Sequence, residues 1–230
     1  FLWHAENHLL SGVLAALMIL PLAEIVLRKL FHVGITNSTA LVQHLTLLVS
    51  MLGGAVAARD RRLLSMSALP ALLKGKWKSA AGIASAGWAA AITVFLCAAG
   101  VQFVLSEKPS GNTLAYGIPF WVIQTILPFG YGLIAWRLLR HSSVKWPGRI
   151  LAFVVGGAIF WLALHPPMSP ERMVMPALIA LLVATVLGAP VFVTLGGAAL
   201  ILFWGEGSPI ASLPLDHYRL VTNPSLPTIP

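Results

Sequence analysis

Long apolar runs alternate with short charged breaks along this chain, and most of the runs approach the roughly 20 residues a helix needs to cross a bilayer. The first goes from Leu9 to Leu27 and meets Arg28-Lys29; the second goes from Thr39 to Ala58 and stops at Arg59. Ala80 to Leu105 predicts a third span, and Leu114 to Leu139 a fourth that Pro119 and Pro128 should bend. Ile150 to Leu164 is short for a crossing, but Trp146 and Trp161 fit interface anchors, so it reads as a span with a re-entrant segment as the alternative. His165-Pro166-Pro167 then breaks the chain. Met175 to Trp204 is one apolar stretch interrupted by Gly188-Ala189-Pro190, which predicts either a kinked helix or two halves meeting inside the membrane. Leu63 to Leu73 reads as a short amphipathic piece along the interface, and Gly205 to Pro230 as a polar, Pro-rich tail.

Composition sharpens this pattern into a class. Of 230 residues, 58% are hydrophobic and only 10% charged, against about 25% charged in soluble domains. Lipid-facing positions call for apolar side chains, whereas a water-facing surface does not. The reading is an all-α polytopic integral membrane protein. The net charge of +8 raises nucleic acid as a partner, but the cations sit in the breaks between apolar runs, where cytoplasmic membrane loops carry them. Nucleic acid is therefore not expected, and membrane lipid is. The lone Cys97 has no partner for an internal disulfide. Phe1 is not an initiator methionine, so an upstream start is expected.

Orientation follows from the cations. Arg59, Arg61, Arg62, Lys74, Lys76 and Lys78 fill one break, and Arg137, Arg140, Lys145 and Arg149 another. The breaks around Glu107-Lys108 and Glu171-Arg172 are nearly neutral. The positive-inside rule puts both basic breaks, and with them the N-terminus, in the cytoplasm. Arg28-Lys29 then lies outside, against the rule.

Few residues could carry chemistry. Glu24 and Arg28 are four apart and can pair along one helix face near the outer end of the first span. Gln43 and His44, with Ser50 beyond, are polar groups inside the second span, where interhelical hydrogen bonding is the ordinary role. His8 on the first span is a candidate neighbour of His44, and a histidine pair could also ligate haem. Small residues recur four apart, Gly53 with Ala57, Gly54 with Ala58 and Gly82 with Ala86, a spacing that lets helices approach closely. No metal-ligand cluster, nucleophile–base set or phosphate-cradling glycine loop appears, so no enzyme activity and no cofactor is expected.

The ordered features resemble the small membrane subunit, or Q component, of TRAP (tripartite ATP-independent periplasmic) transporters. The resemblance rests on Glu6 ahead of the first helix, Arg28-Lys29-Leu30-Phe31 at its end, Leu41-Val42-Gln43-His44-Leu45, Leu52-Gly53-Gly54-Ala55 and Ala57-Ala58-Arg59. Farther on, Leu187-Gly188-Ala189-Pro190-Val191 with Leu195-Gly196 is similar to the opening helix of the large M component, and Asn223 to Pro230 to the approach to its first helical hairpin. Together these resemble fused Q–M permeases. The expected layout is a Q-like four-helix scaffold over 1–142, a connecting segment with an extra membrane helix over 143–172, and the N-terminal part of an M-like unit over 173–230. The resemblance implies a bacterial inner-membrane protein serving sodium-coupled uptake of an organic-acid anion. The anion would be delivered by a periplasmic substrate-binding protein, and the sodium and substrate sites would lie in later parts of M. Arg28 and Lys29 become candidates for binding-protein docking or lipid contact, and Gly188 and Pro190 mark the helix break. An unrelated membrane assembly subunit and a haem-binding redox protein are the alternatives.

Overall fold

The structure, a computed structural model, describes residues 2–65, 72–114, 117–143 and 146–221. The regular elements among them are helical: α1 Leu2–Phe31, α2 Ser38–Arg59, α3 Gly75–Glu107 with a 3-10 turn Lys108–Ser110, α4 Phe120–Gln124, α5 Ile126–His141, α6 Trp146–Leu164, α7 Pro170–Val186, α8 Val191–Gly205 and α9 Ser212–Val221. α1, α2, α3, the α4–α5 pair and α6 are long and apolar enough to cross a membrane. Ile150 to Leu164 lies within α6, a helix of 19 residues that spans about 28 Å at 1.5 Å per residue. Most of the amphipathic piece expected over 63–73, and the Asn223–Pro230 segment, lie outside the described residues.

α3 is the central helix. It is rich in Ala and Gly, and α5, α6, α8 and α9 all pack on it. α3 and α6 run parallel and cross at Gly87 and Gly156: a Cβ on Gly87 would come within 2.9 Å of the Ala152 carbonyl oxygen, and one on Gly156 within 3.0 Å of the Gly87 carbonyl oxygen. Phe95 stacks on Phe160 two turns farther along. Of the four-apart small residues, Gly54 lies under Ile134, whereas Gly53 and Gly82 face open space. The close approaches are thus made mostly by other glycines.

Three sequence expectations need correction. The fourth span does not start at Leu114; its helix opens at Phe120 after Pro119, and the expected bend falls at Thr125. The cause is Pro128, which has no N–H for the Gln124 carbonyl and crowds it sterically, so the chain breaks one turn before the ring. Secondly, α3 begins at Gly75, so Lys76 and Lys78 stand on its first turn rather than in a loop. Thirdly, Arg59 and Arg137 belong to α2 and α5 and turn inward rather than lying in loops. Of the two readings left open for 175–204, the structure has two helices rather than one kinked helix. Thr185 bonds Thr194 at 2.8 Å, Leu181 packs over Gly197 and Val174 over Gly205, so α7 and α8 form an antiparallel hairpin.

That hairpin traverses the bundle's depth twice. Its tip meets the chain just after α2, where the Val191 N–H donates to the Leu64 carbonyl at 2.8 Å. α9, with Ala211 just before it, closes the opposite end: Ala211, Leu215, Tyr218 and Val221 pack on Leu47, Met51, Phe103 and Leu127. One end of the bundle therefore holds the start of α1, the end of α2, the start of α3, the end of α5 and the hairpin tip. The other holds the 32–37, 108–114, 117–119, 165–169 and 206–221 segments. Outward-facing side chains such as Met18, Leu22, Phe153 and Leu195 stay exposed, the arrangement that lipid requires.

Candidate functional site

Three polar clusters interrupt the apolar bundle. At the basic end, Arg59 Nη1 donates to Glu6 Oε2 at 2.9 Å, Nη2 to Asn7 Oδ1 at 2.8 Å, and Nε to Asp60 Oδ1 at 2.9 Å. Arg137 Nη1 donates to the Ala55 carbonyl at 2.6 Å and Nη2 pairs with Glu6 Oε1. Glu6 thus bridges two guanidinium groups and ties α1 to both α2 and α5. Arg137 is buried, and a buried cation needs such a partner. The Arg59 hydrogen bond holds the Asp60 carboxyl below the usual carboxylate range.

The second cluster shapes the α1–α2 connection. Buried Glu24 accepts from Arg28 Nε at 2.5 Å through Oε1 and from the Ile35 N–H at 2.6 Å through Oε2. The expected Glu24–Arg28 pair is present, with a backbone donor that sequence spacing does not disclose. Gly34 fits beside it because a Cβ there would stand 3.2 Å from Glu24 Oε1. Arg28 and Lys29 are exposed. Arg28 and half-buried Gln43 line an open cleft of ≈ 400 Å³ with Ile35, Asn37 and Ser38.

The third cluster centres on His44. Its Nδ1 lies 2.7 Å from the Ala40 carbonyl and its Nε2 2.7 Å from Tyr218 Oη. Because a carbonyl only accepts, Nδ1 carries the proton and the Tyr218 hydroxyl donates to Nε2. Phe120 stacks on the ring at 5.3 Å, and the amide of Gln124, itself buried, also bonds Tyr218. His8 is not a neighbour. It sits on α1 beside Asn7 at the basic end, whereas His44 lies near the start of α2 at the other. Both ring nitrogens of His44 are engaged, and it does not pair with His8.

Gly188 and Pro190 occupy the hairpin tip. Gly188 has φ +104°, a conformation that disfavours any side chain, and Pro190 precedes the first turn of α8 and pairs with Ser65. Sequence reasoning singled out these residues as a break but missed what they touch. It also missed α9, whose signal is Ala211, Leu215 and Tyr218 at i, i+4 and i+7.

The fold and these clusters define a multi-pass helical membrane protein held together by polar side chains buried between helices. The family model for the tripartite ATP-independent periplasmic transporters, DctQ component, matches residues 17–148, and the chain belongs to that family. This is a family of transporter components rather than of enzymes, and its members work with a DctM component and a periplasmic binding protein. The chain is accordingly a multi-pass inner-membrane protein. No curated protein matches it. The match covers the second half of α1 through the start of α6; the first half of α1, the remainder of α6, the hairpin and α9 lie beyond it.

Proposed function

We propose that this chain is the static, lipid-embedded part of a TRAP permease in which a Q-type unit, residues 1–142, is joined through 143–172 to the beginning of an M-type unit, residues 173–230. The observation that carries this reading is the anchoring of the unmatched part at both ends of the bundle. Val191 is bonded to Leu64 at the basic end and Tyr218 to His44 at the other. Segments fixed at two depths resist sliding, which suits a brace against which another element moves. The resemblance around Gly188-Ala189-Pro190 adds to it.

On this reading the complete permease takes up an organic-acid anion with sodium from a periplasmic binding protein. The ion and substrate sites lie in M-type sequence beyond Pro230. The N-terminus and the basic end face the cytoplasm. Arg28 and Lys29, exposed at the outer end, serve encounter with the binding protein or with lipid, where charge steers more than it holds.

The test is uptake by proteoliposomes. Residues 1–230 alone, given sodium and the matching binding protein, accumulate no substrate. The chain continued through its downstream coding sequence accumulates it only under an inward sodium gradient. Uptake by 1–230 alone, or a gene that stops near Pro230, contradicts the fused-permease reading.

A further inference from the structure

Charge is distributed unequally between the two ends of the bundle. The acidic residues number seven, and five of them, Glu24, Glu107, Glu171, Glu206 and Asp216, belong to the outer end, where Arg28, Lys29, Lys108, Arg172 and Arg219 balance them one for one. Among the described residues the basic end carries nine Lys and Arg against Glu6 and Asp60 alone, so the excess of positive charge falls there. Both of those carboxylates are already taken by Arg59 and Arg137. The undescribed residues 66–71 and 144–145 contain no acid in sequence that could compensate.

Within this end lies a cleft of ≈ 270 Å³ walled by the tail of α2, the end of α5, the start of α3 and the hairpin tip, with Arg61, Ser65, Arg137, His141 and Pro190 among its lining. Arg61 is exposed, forms no ion pair among the described residues, and holds a left-handed backbone with φ +56°. That backbone is the C-cap of α2, where the Arg62 N–H donates to the Ala57 carbonyl at 2.9 Å, and it leaves Arg61 on the wall of the cleft. Arg61, Arg140 and Arg137 all act electrostatically on His141, whose buried Nδ1 has no hydrogen-bond partner among the described residues. Like charges gathered beside low-dielectric protein repel unless an anion sits among them.

We propose that this cleft binds a phosphate-type oxyanion, with Arg61 as its principal ligand and Arg140 and Arg137 supplying field. A water takes about 30 Å³ of liquid, so the space accepts a hydrated phosphate or a phosphodiester headgroup. The two sources share this chemistry, and basic pockets between helices on the cytoplasmic side suit anionic headgroups. The site stands whether or not the transport reading holds, because it needs only the basic end and the hairpin tip.

The experiment measures thermal unfolding of the full chain in two settings at constant ionic strength. One compares nanodiscs of phosphatidylcholine with nanodiscs containing phosphatidylglycerol; the other titrates inorganic phosphate against chloride in detergent. A raised midpoint in either setting supports the site, and which setting responds identifies the source. Arg61→Gln should weaken the apparent affinity about tenfold, the loss of one charge-assisted hydrogen bond. Arg61→Lys should restore part of it, and Arg172→Gln at the neutral end should change nothing. No response in both settings, or the same response in Arg61→Gln, overturns the proposal. Unliganded Arg61→Gln should melt with the parent, because Arg61 makes no ion pair that folding depends on.

Discussion

Tyr218 donates its hydroxyl to His44 Nε2 at 2.7 Å, joining residues 174 positions apart. The bond ties α9, which lies outside the family match, to the second helix inside it. Tyr218→Phe keeps the ring in its apolar setting and deletes the bond. It should lower stability by about 1 kcal/mol. His44→Leu should cost Tyr218→Phe much of its further effect, since the two act as one unit. Thermal unfolding of the four proteins in one detergent measures both.

Docking of α9 should depend on pH. Burial pushes His217 below the ordinary histidine value, and its Nε2 has no partner among the described residues. The sign follows from linkage: the undocked helix binds more protons between its own pKa, about 6.5, and the depressed docked value. Protection of α9 is therefore complete above about pH 6.5 and is lost as pH falls through the docked pKa. Hydrogen exchange of 212–221 across that range should show it, and His217→Phe should flatten the profile.

Glycines should divide by what surrounds them. Gly87→Leu forces a side chain into the Ala152 carbonyl and Val155, and should cost about 1–3 kcal/mol by overpacking. Gly53→Ala and Gly82→Ala meet nothing within 4 Å. Both should be neutral or stabilising by up to about 1 kcal/mol, because alanine favours a helix interior. The measurement is the unfolding midpoint of each variant.

The Glu6–Arg137 pair should behave as a buried one. Arg137→Met strips one cation from Glu6 and should destabilise by about 3 kcal/mol, with α1 loosening first. Glu6→Gln combined with Arg137→Met should lose less than the two single losses together. Protease accessibility near α1, read beside the melting midpoint, distinguishes local release from global loss.

Much of this architecture was legible from the apolar runs because spanning length and lipid exposure are local properties of sequence. The break at Gly188-Ala189-Pro190 was legible for the same reason, since turn chemistry is local. Whether it made a kink or a hairpin was not, because Leu181 over Gly197 and Val174 over Gly205 are contacts between separate helices. Arg59 and Arg137 looked like loop cations because they abut breaks; only the third dimension brings Glu6 between them. The Glu24–Arg28 pair was visible at four-residue spacing, whereas its third member, the Ile35 N–H, was hidden in the turn that follows. His44 advertised itself as a polar group in an apolar helix, but nothing near it in sequence pointed to Tyr218.

The most direct test of the whole account is the side of the membrane on which three positions lie. In a Cys97→Ser background, single cysteines at Lys76, Ser169 and Ser208 would be treated in intact spheroplasts with a membrane-impermeant maleimide. The account predicts labelling of 169 and 208 from outside, and of 76 only after permeabilisation. Labelling of 76 in intact cells, or of 169 and 208 from opposite sides, would contradict the bundle, its orientation and the returning hairpin together.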